Sequence, residues 1–226
     1  MRHRFDIEPR GVRAAAGCPA EVLDGGRRLV RSVVPRAKLS GAAAKFPRET
    51  SALWAGKESG ATLCLMDVGQ DCFYWAAGLL DGSDAAADDV RALAEVVASE
   101  AEASGEGLGP IMGEIVRDAV SVTQHVYDNR SLSIPPQFDS PWEASAGGAI
   151  TLCGDAMHAV VPSIGHGACL ALEDAVVLGR HVAVAVRNGG SAAALRAALR
   201  AYESARLPRT SQAQIFSWKD REKKYG

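Results

Sequence analysis

The sequence has no CxxC pair, and its five cysteines, Cys18, Cys64, Cys72, Cys153 and Cys169, are odd in number and scattered. That usage speaks against a disulfide scaffold and for buried thiols in a reducing compartment, cytoplasmic or organellar. Long apolar runs are missing too. Charged or polar residues break every window short of the roughly 18 uninterrupted apolar residues of a membrane span, so no stable span is expected. Charge of one sign is scarce: the formal net charge is −2, which supplies no strong positive field for phosphates and excludes a general nucleic-acid binder. What charge there is lies unevenly, with 11 Lys and Arg against 5 Asp and Glu in residues 1–50 and 14 against 22 in the rest. Asp6 and Glu8 fit poorly with an acid-poor transit peptide.

Two familiar site patterns fail. The glycines of GEGLGP, residues 105–110, follow an expected helix, and their spacing departs from the dinucleotide fingerprint, so they read as a plain loop. Cys153, His158, His166 and Cys169 fall in a C-x4-H-x7-H-x2-C spacing that matches no compact zinc pattern, so no metal site is expected.

At 226 residues the chain can bury a real core in one large domain or two small ones. Residues 1–50 show little periodicity and are expected to be weakly structured, with a short helix near Pro19 to Leu23. Ala61 to Leu65 and Asp71 to Leu79 read as a β-hairpin with Asp67 and Gly69 in the turn. Phe73 and Trp75 share one face of its second strand and Tyr74 the other, with core packing the commoner fate of such residues. Asp88 to Ser104 places Val90, Leu93, Ala94, Val97 and Ala101 on one helical face. A short helix over Ile111 to Asp118, a strand over Val120 to Asn129 and an extended, proline-bearing connector over Ser133 to Trp142 follow.

The most informative stretch is Ala149 to Leu178, AITLCGDAMHAVVPSIGHGACLALEDAVVL. It reads as a strand at Ile150 to Leu152, a Gly-Asp turn, a Pro/Gly loop and a helix. That helix puts Ala168, Leu172, Ala175, Val176, Gly179, Val182, Ala183 and Val186 on one apolar face, and Asn188 with two glycines stops it. Ser191 is placed to cap a final helix with Leu195, Ala198, Leu199 and Tyr202 on its buried side, interrupted at Pro208. A solvated, basic tail begins at Lys219. A loop entering a helix N-terminus offers unpaired N–H groups and the positive end of the macrodipole to an anionic group. Gly165 and Gly167 admit close approach of a ligand, Pro162 fixes the loop, and Asp155 can accept hydrogen bonds from ligand hydroxyls. The residues alone point to a polyhydroxylated, partly anionic cofactor. Glu203 and Arg206 read as a helix-surface pair, and Glu173 and Asp174 as structural.

The stretch resembles the second flavin-binding motif of the FAD-dependent aromatic-ring hydroxylases and epoxidases, the group A flavoprotein monooxygenases that include salicylate hydroxylase and zeaxanthin epoxidase. The matching residues are Gly154, Asp155, Ala156, His158, Pro162, Gly165, Gly167, Glu173, Asp174 and Ala175. Tyr202, Glu203, Arg206, Pro208 and Arg209 resemble the family's C-terminal Tyr-Glu-x-x-Arg-x-Pro-Arg segment. Tyr127, Asp128 and Asn129, with Trp142 downstream, are similar to the connector before its Gly-Asp strand, and Phe73 to Trp75 to a substrate-domain strand. The family's strand-GxGxxG-helix unit for the ADP half of FAD is not among these residues.

The resemblance implies an α+β fold: an antiparallel substrate-domain sheet, the Gly-Asp strand and two long C-terminal helices, part of an α/β FAD-binding fold. It divides the chain into a poorly defined basic segment (1–50), a partial substrate-binding domain (51–145), the C-terminal part of an FAD-binding domain (146–218) and a tail (219–226). It assigns cofactor contacts to Gly154, Asp155, Pro162, Gly165, His166, Gly167 and Ala168, with Asp155 on the ribityl chain and the helix from Gly167 directed at the flavin N1–C2 region. The implied chemistry is reduction of FAD by NAD(P)H, formation of a C4a-hydroperoxide, and oxygen transfer to a hydrophobic or aromatic small molecule. No catalytic side chain of the protein is expected, because the cofactor carries the chemistry. The activity would need a separate N-terminal FAD-binding half. The alternative is a non-catalytic remnant or split-enzyme subunit acting through protein contacts.

Overall fold

The computed structural model describes Arg13, Ala16 and residues 21–57, 59–80, 89–136 and 148–225. They form two compact units, one built mainly of Gly26–Ser131 and the other mainly of Leu132–Lys224.

The first unit is a five-stranded sheet with two 14-residue helices on one face, and it also holds a 3-10 turn at Arg36–Lys38 and a four-residue helix at Gly41–Ala44. Its strands are β1 (Leu23–Pro35), β2 (Ser51–Ala55), β3 (Thr62–Asp67), β4 (Cys72–Leu80) and β5 (Tyr127–Ser133), in the order β2-β3-β4-β1-β5. The expected hairpin is β3 and β4, antiparallel with Leu65 opposite Trp75. Its turn places Gly69, Gln70 and Asp71 in the left-handed region at φ 74°, 49° and 57°. Asp67 closes the turn by accepting the Glu49 N–H at 2.7 Å. That bond and the Arg36 guanidinium hold its carboxyl below the usual range, against the opposing effect of burial.

The sheet's inner face follows the period of two. Val30 and Val34, Leu63 and Leu65, and Phe73, Trp75, Ala77 and Leu79 are buried beneath Leu93, Val97 and Ala101 of α1 (Val90–Ala103) and Met112, Val116 and Ala119 of α2 (Gly109–Val122). Phe73 and Trp75 are fully buried, whereas Tyr74 on the opposite face is half-buried. The Trp75 indole Nε1–H donates to Thr123 Oγ1 at 3.0 Å, so the largest core side chain leaves no donor unpaired. Asp89 caps α1 through the Arg91 N–H at 2.9 Å.

Three expectations for this unit change. Residues 23–35, read as weakly structured, form the longest strand. Its arginines are taken up by the sheet, Arg28 gripping Asp128 through two 2.8 Å bonds. The short helix at 111–118 runs from Gly109 to Val122, and the strand expected from Val120 starts at Tyr127. The reason is period: Met112, Val116, Ala119 and Val120 continue one helical face into the core, which outweighs the β preference of Val120 and Val122. The short helix expected near Pro19 to Leu23 is not formed where the chain is described, since Glu21 and Val22 are irregular and Leu23 opens β1. Pro19, the punctuation at Gly82 to Asp84, and Trp142 lie outside the described residues.

The second unit contains α3 (Asp155–His158), α4 (Gly167–Arg187) and α5 (Ala192–Tyr225), with a 3-10 turn at Pro162–Ile164. Helix α4 starts and stops where the sequence indicates, at Gly167 and Asn188, and Ser191 caps α5 by accepting the Ala194 N–H at 3.2 Å. Ala198 and Tyr202 are buried as expected. Helix α5, however, continues through Pro208 to Tyr225. Pro208 and Ser204, whose carbonyl loses its helical partner, are both exposed, so solvent can satisfy the freed oxygen. The residues from Lys219, read as a solvated tail, belong to the same helix.

The expected apolar face of α4 is also corrected. Leu172 is 68% exposed and Val176 53%, while Leu170, Asp174 and Ala185 are the buried positions. A helix apolar on several sides does not reveal its inner face by periodicity, and here buried ionic partners select the face carrying Asp174. No helix among the described residues is long and apolar enough to cross a membrane.

Candidate functional site

The site is built on residues 150–168 of the second unit. The expected strand at Ile150 to Leu152 is not part of a ladder among the described residues. Side chains of α5 serve its backbone instead. Arg200 donates to the Ile150 carbonyl at 2.7 Å, the Tyr202 hydroxyl to the Leu152 carbonyl at 3.1 Å, and Thr151 Oγ1 to Glu203 at 2.5 Å. Leu152, Met157, Tyr202 and Leu207 close a small core around this segment, and burial pushes the Tyr202 phenol far up.

Gly154 then turns the chain at φ 57° and ψ −146°, a combination open essentially to glycine. Its N–H donates to Asp174 Oδ2 at 2.7 Å. Three residues of helix later, His158 Nε2–H donates to the same oxygen at 2.6 Å, with both side chains buried. Arg206 Nε–H donates to the other oxygen, Oδ1, at 2.7 Å, and its Nη1 to Glu173 at 2.6 Å. Arg209 completes the network with two 2.7 Å bonds to Glu173. Burial alone would raise the Asp174 carboxyl, but the bonds from His158, Gly154 and Arg206 outweigh it and hold it below its usual range. Arg209 and then Arg206 lower Glu173 to about 2.

Beyond α3 the loop is pinned from α5 and from the end of β5. Gln214 Nε2 donates to the Ala159 carbonyl at 3.3 Å, Ser133 Oγ to the same oxygen at 2.7 Å, and the Val161 N–H to Ser217 Oγ at 3.1 Å. Pro162 and the left-handed Gly165 are exposed, and space is open where a Gly165 Cβ would stand. His166, Ala168 and Cys169 are exposed at the start of α4, whose N-cap position has no side-chain cap. Beside this start lies Asp155. A Cβ on Gly167 would sit 3.9 Å from its Oδ1, and no described residue hydrogen-bonds the carboxylate.

The structure thus brings together, on one side of a 21-residue helix's N-terminus, a half-buried carboxylate acceptor, Gly165 with open space at its Cβ position, the half-buried Gly167, and first-turn N–H groups with no acceptor among the described residues. That arrangement can accept hydroxyl donors and an anionic edge of one ligand at the same time. An adjoining cavity of about 510 Å³ is lined by Ile164, His166, Leu170, Arg209, Ala213 and Phe216 among others.

Sequence reading missed the inward face of α5. Glu203 and Arg206, expected as a surface pair, are 2% and 3% exposed and bind Thr151 and Asp174 rather than each other. The signal was present as polar residues at helical spacing, Glu203, Arg206, Thr210, Gln214 and Ser217, all buried. Two of the cysteines expected to be buried, Cys153 and Cys169, are exposed.

A glycine-bearing loop and an acidic turn thus meet at a helix N-terminus. Residues 115–217 match the FAD binding domain family. It is 43% identical over 82 residues to 3-hydroxybenzoate 6-hydroxylase of Klebsiella oxytoca, a stretch covering 36% of this chain and 18% of that protein. Over 71 residues it is 41% identical to salicylate hydroxylase of Pseudomonas putida, covering 31% and 16% of the two chains. Among solved structures, HpxO of Klebsiella pneumoniae complexed with FAD and uric acid shares the fold at TM-score 0.65 and 24% identity, over 93% of this chain and 48% of that one. The chain therefore spans about half the length of that neighbour.

Proposed function

We propose that the chain supplies the flavin-facing half of an FAD-dependent monooxygenase that hydroxylates or epoxidises a hydrophobic or aromatic small molecule at the expense of NAD(P)H. The observation that carries this reading is the Asp155 carboxylate, unbonded by any described residue and set beside the exposed first turn of α4. A ribityl chain offers the hydroxyl donors that such an acceptor lacks, and the open space over Gly165 and the half-buried Gly167 suit a flat ring lying against backbone. Gly154 supplies the turn that projects Asp155. Pro162, Gly165, His166, Gly167 and Ala168 line the loop and helix start on the ring side.

When bound and reduced, FAD supplies the oxygen-activating chemistry. The protein's residues place it: the N–H groups of Gly167 and Ala168, with the α4 dipole behind them, favour negative charge at the ring edge without reorganising. Relatives bearing the names of 3-hydroxybenzoate, salicylate and urate hydroxylases support an aromatic substrate.

The remaining FAD contacts fall to a nucleotide-binding unit with the strand-GxGxxG-helix pattern, a pattern these 226 residues do not contain. The exposed Leu172 and Val176 on α4, and the extended segment 150–153 outside any ladder among the described residues, support completion by such a unit. The test is to titrate the chain with FAD and follow flavin fluorescence and the visible spectrum. Saturable quenching with a shifted flavin band is expected, and a colourless chain that leaves added FAD unperturbed overturns the cofactor reading.

A further inference from the structure

We propose that Asp174 is the positioning residue of this site, a single buried carboxylate that fixes both ends of α3 and thereby aims Asp155 at the start of α4. The proposal rests on the FAD reading for its ligand but not for its geometry. One oxygen, Asp174 Oδ2, receives the Gly154 N–H at 2.7 Å, immediately before α3, and His158 Nε2–H at 2.6 Å, at its last residue. Asp155 is the first residue between these two anchors.

A four-residue helix has almost no stability of its own, because nucleation consumes the entropy its few bonds return. Its orientation must therefore be imposed from outside. Arg13 holds its middle through the Ala156 carbonyl at 2.8 Å, but among the described residues Asp174 is the side chain that grips both ends. The carboxylate is itself held charged and oriented by Arg206 Nε at 2.7 Å on its other oxygen. Asp174 is 0% exposed and His158 1%, so these bonds are not competed for by water and each is worth more than a surface pair. Asp174 is two turns into α4, the helix whose N-terminus faces Asp155, so one rigid element carries both the dipole and the lock. The acidic residue that would meet the ligand and the acidic residue that would aim it are thus different groups with different surroundings: Asp155 half-exposed and unbonded by described residues, Asp174 buried and fully engaged.

The test uses the full chain with Asp174→Asn, Asp155→Asn and the double variant, read by amide hydrogen exchange without ligand and by FAD titration. In Asp174→Asn the Gly154, Met157 and His158 amides are expected to lose protection about tenfold or more while the middle of α4 stays protected. FAD binding weakens about tenfold, and adding Asp155→Asn to it brings no further loss, because both act through one contact. Multiplying losses in the double variant, or wild-type exchange at Gly154 in Asp174→Asn, overturn the proposal. If Asp174→Asn fails to fold, His158→Gln releases only the far anchor: loss of protection confined to Met157 and His158 supports the lock, and unchanged protection there overturns it. If the wild-type chain ignores FAD, the cofactor reading falls while exchange alone decides the lock.

Discussion

Arg206 Nε lies 2.7 Å from Asp174 Oδ1, and the two side chains are 4% and 0% exposed. This is an ion pair with nearly all of its water removed, tied at its far end to the turn that carries Asp155. Removing one partner of such a pair strands the other charge in the interior, which costs about 3–5 kcal/mol, whereas a surface pair is worth about 1 kcal/mol or less. Arg206→Met is therefore expected to lower the unfolding free energy by about 3–5 kcal/mol in chemical denaturation. Arg206→Lys restores only part of it, because an ammonium cannot serve Asp174, Glu173 and the Leu170 carbonyl from one planar fork.

Acid should weaken the same network. Glu173 is held at about 2 against an ordinary 4.5, and Asp174 is shifted in the same direction. A carboxylate with a depressed folded-state pKa contributes stability above its unfolded value, and that contribution disappears as pH falls through the folded value. The Glu173 side chain is 37% exposed, so its share is screened toward that of a surface pair. Thermal unfolding of Glu173→Gln and wild type should differ at neutral pH and converge as pH falls from 4.5 toward about 2. A difference independent of pH contradicts the assignment.

In the first unit, Thr123→Val keeps shape and removes the acceptor of the Trp75 indole N–H. An orphaned buried donor costs about 1–3 kcal/mol, visible as a lowered denaturation midpoint with unchanged slope.

Gly113 lies where α2 meets α1, and a Cβ there would fall on the Ala98 carbonyl. Gly113→Ala would gain helix propensity on an open surface, yet here it is expected to destabilise by about 1–3 kcal/mol because backbone must move.

Most of the architecture was legible where a single period governs. The β3–β4 hairpin, α1, and the limits of α4 follow from alternation, helical spacing and stop residues. What escaped was set by tertiary partners. The extended segment 150–153 has the composition of a strand, but its carbonyls are met by Arg200 and Tyr202, about 50 residues later. Helix α5 survives Pro208 because packing on both sides outweighs one lost bond. The site's motif residues were visible in order. The lock behind them was not, because Asp174, His158 and Arg206 read separately as an acidic helix residue, a motif histidine and a surface arginine, and only the fold makes them neighbours.

The central claim is that Asp155, beside the first turn of α4, receives the hydroxyl-bearing part of FAD. Fluorescence titration of wild type and Asp155→Asn with FAD tests it most directly. Saturable, one-to-one quenching by wild type is expected, with a dissociation constant raised about tenfold in the variant, equivalent to ~1.4 kcal/mol. Equal affinity in the two proteins, or no saturable binding by either, would contradict it.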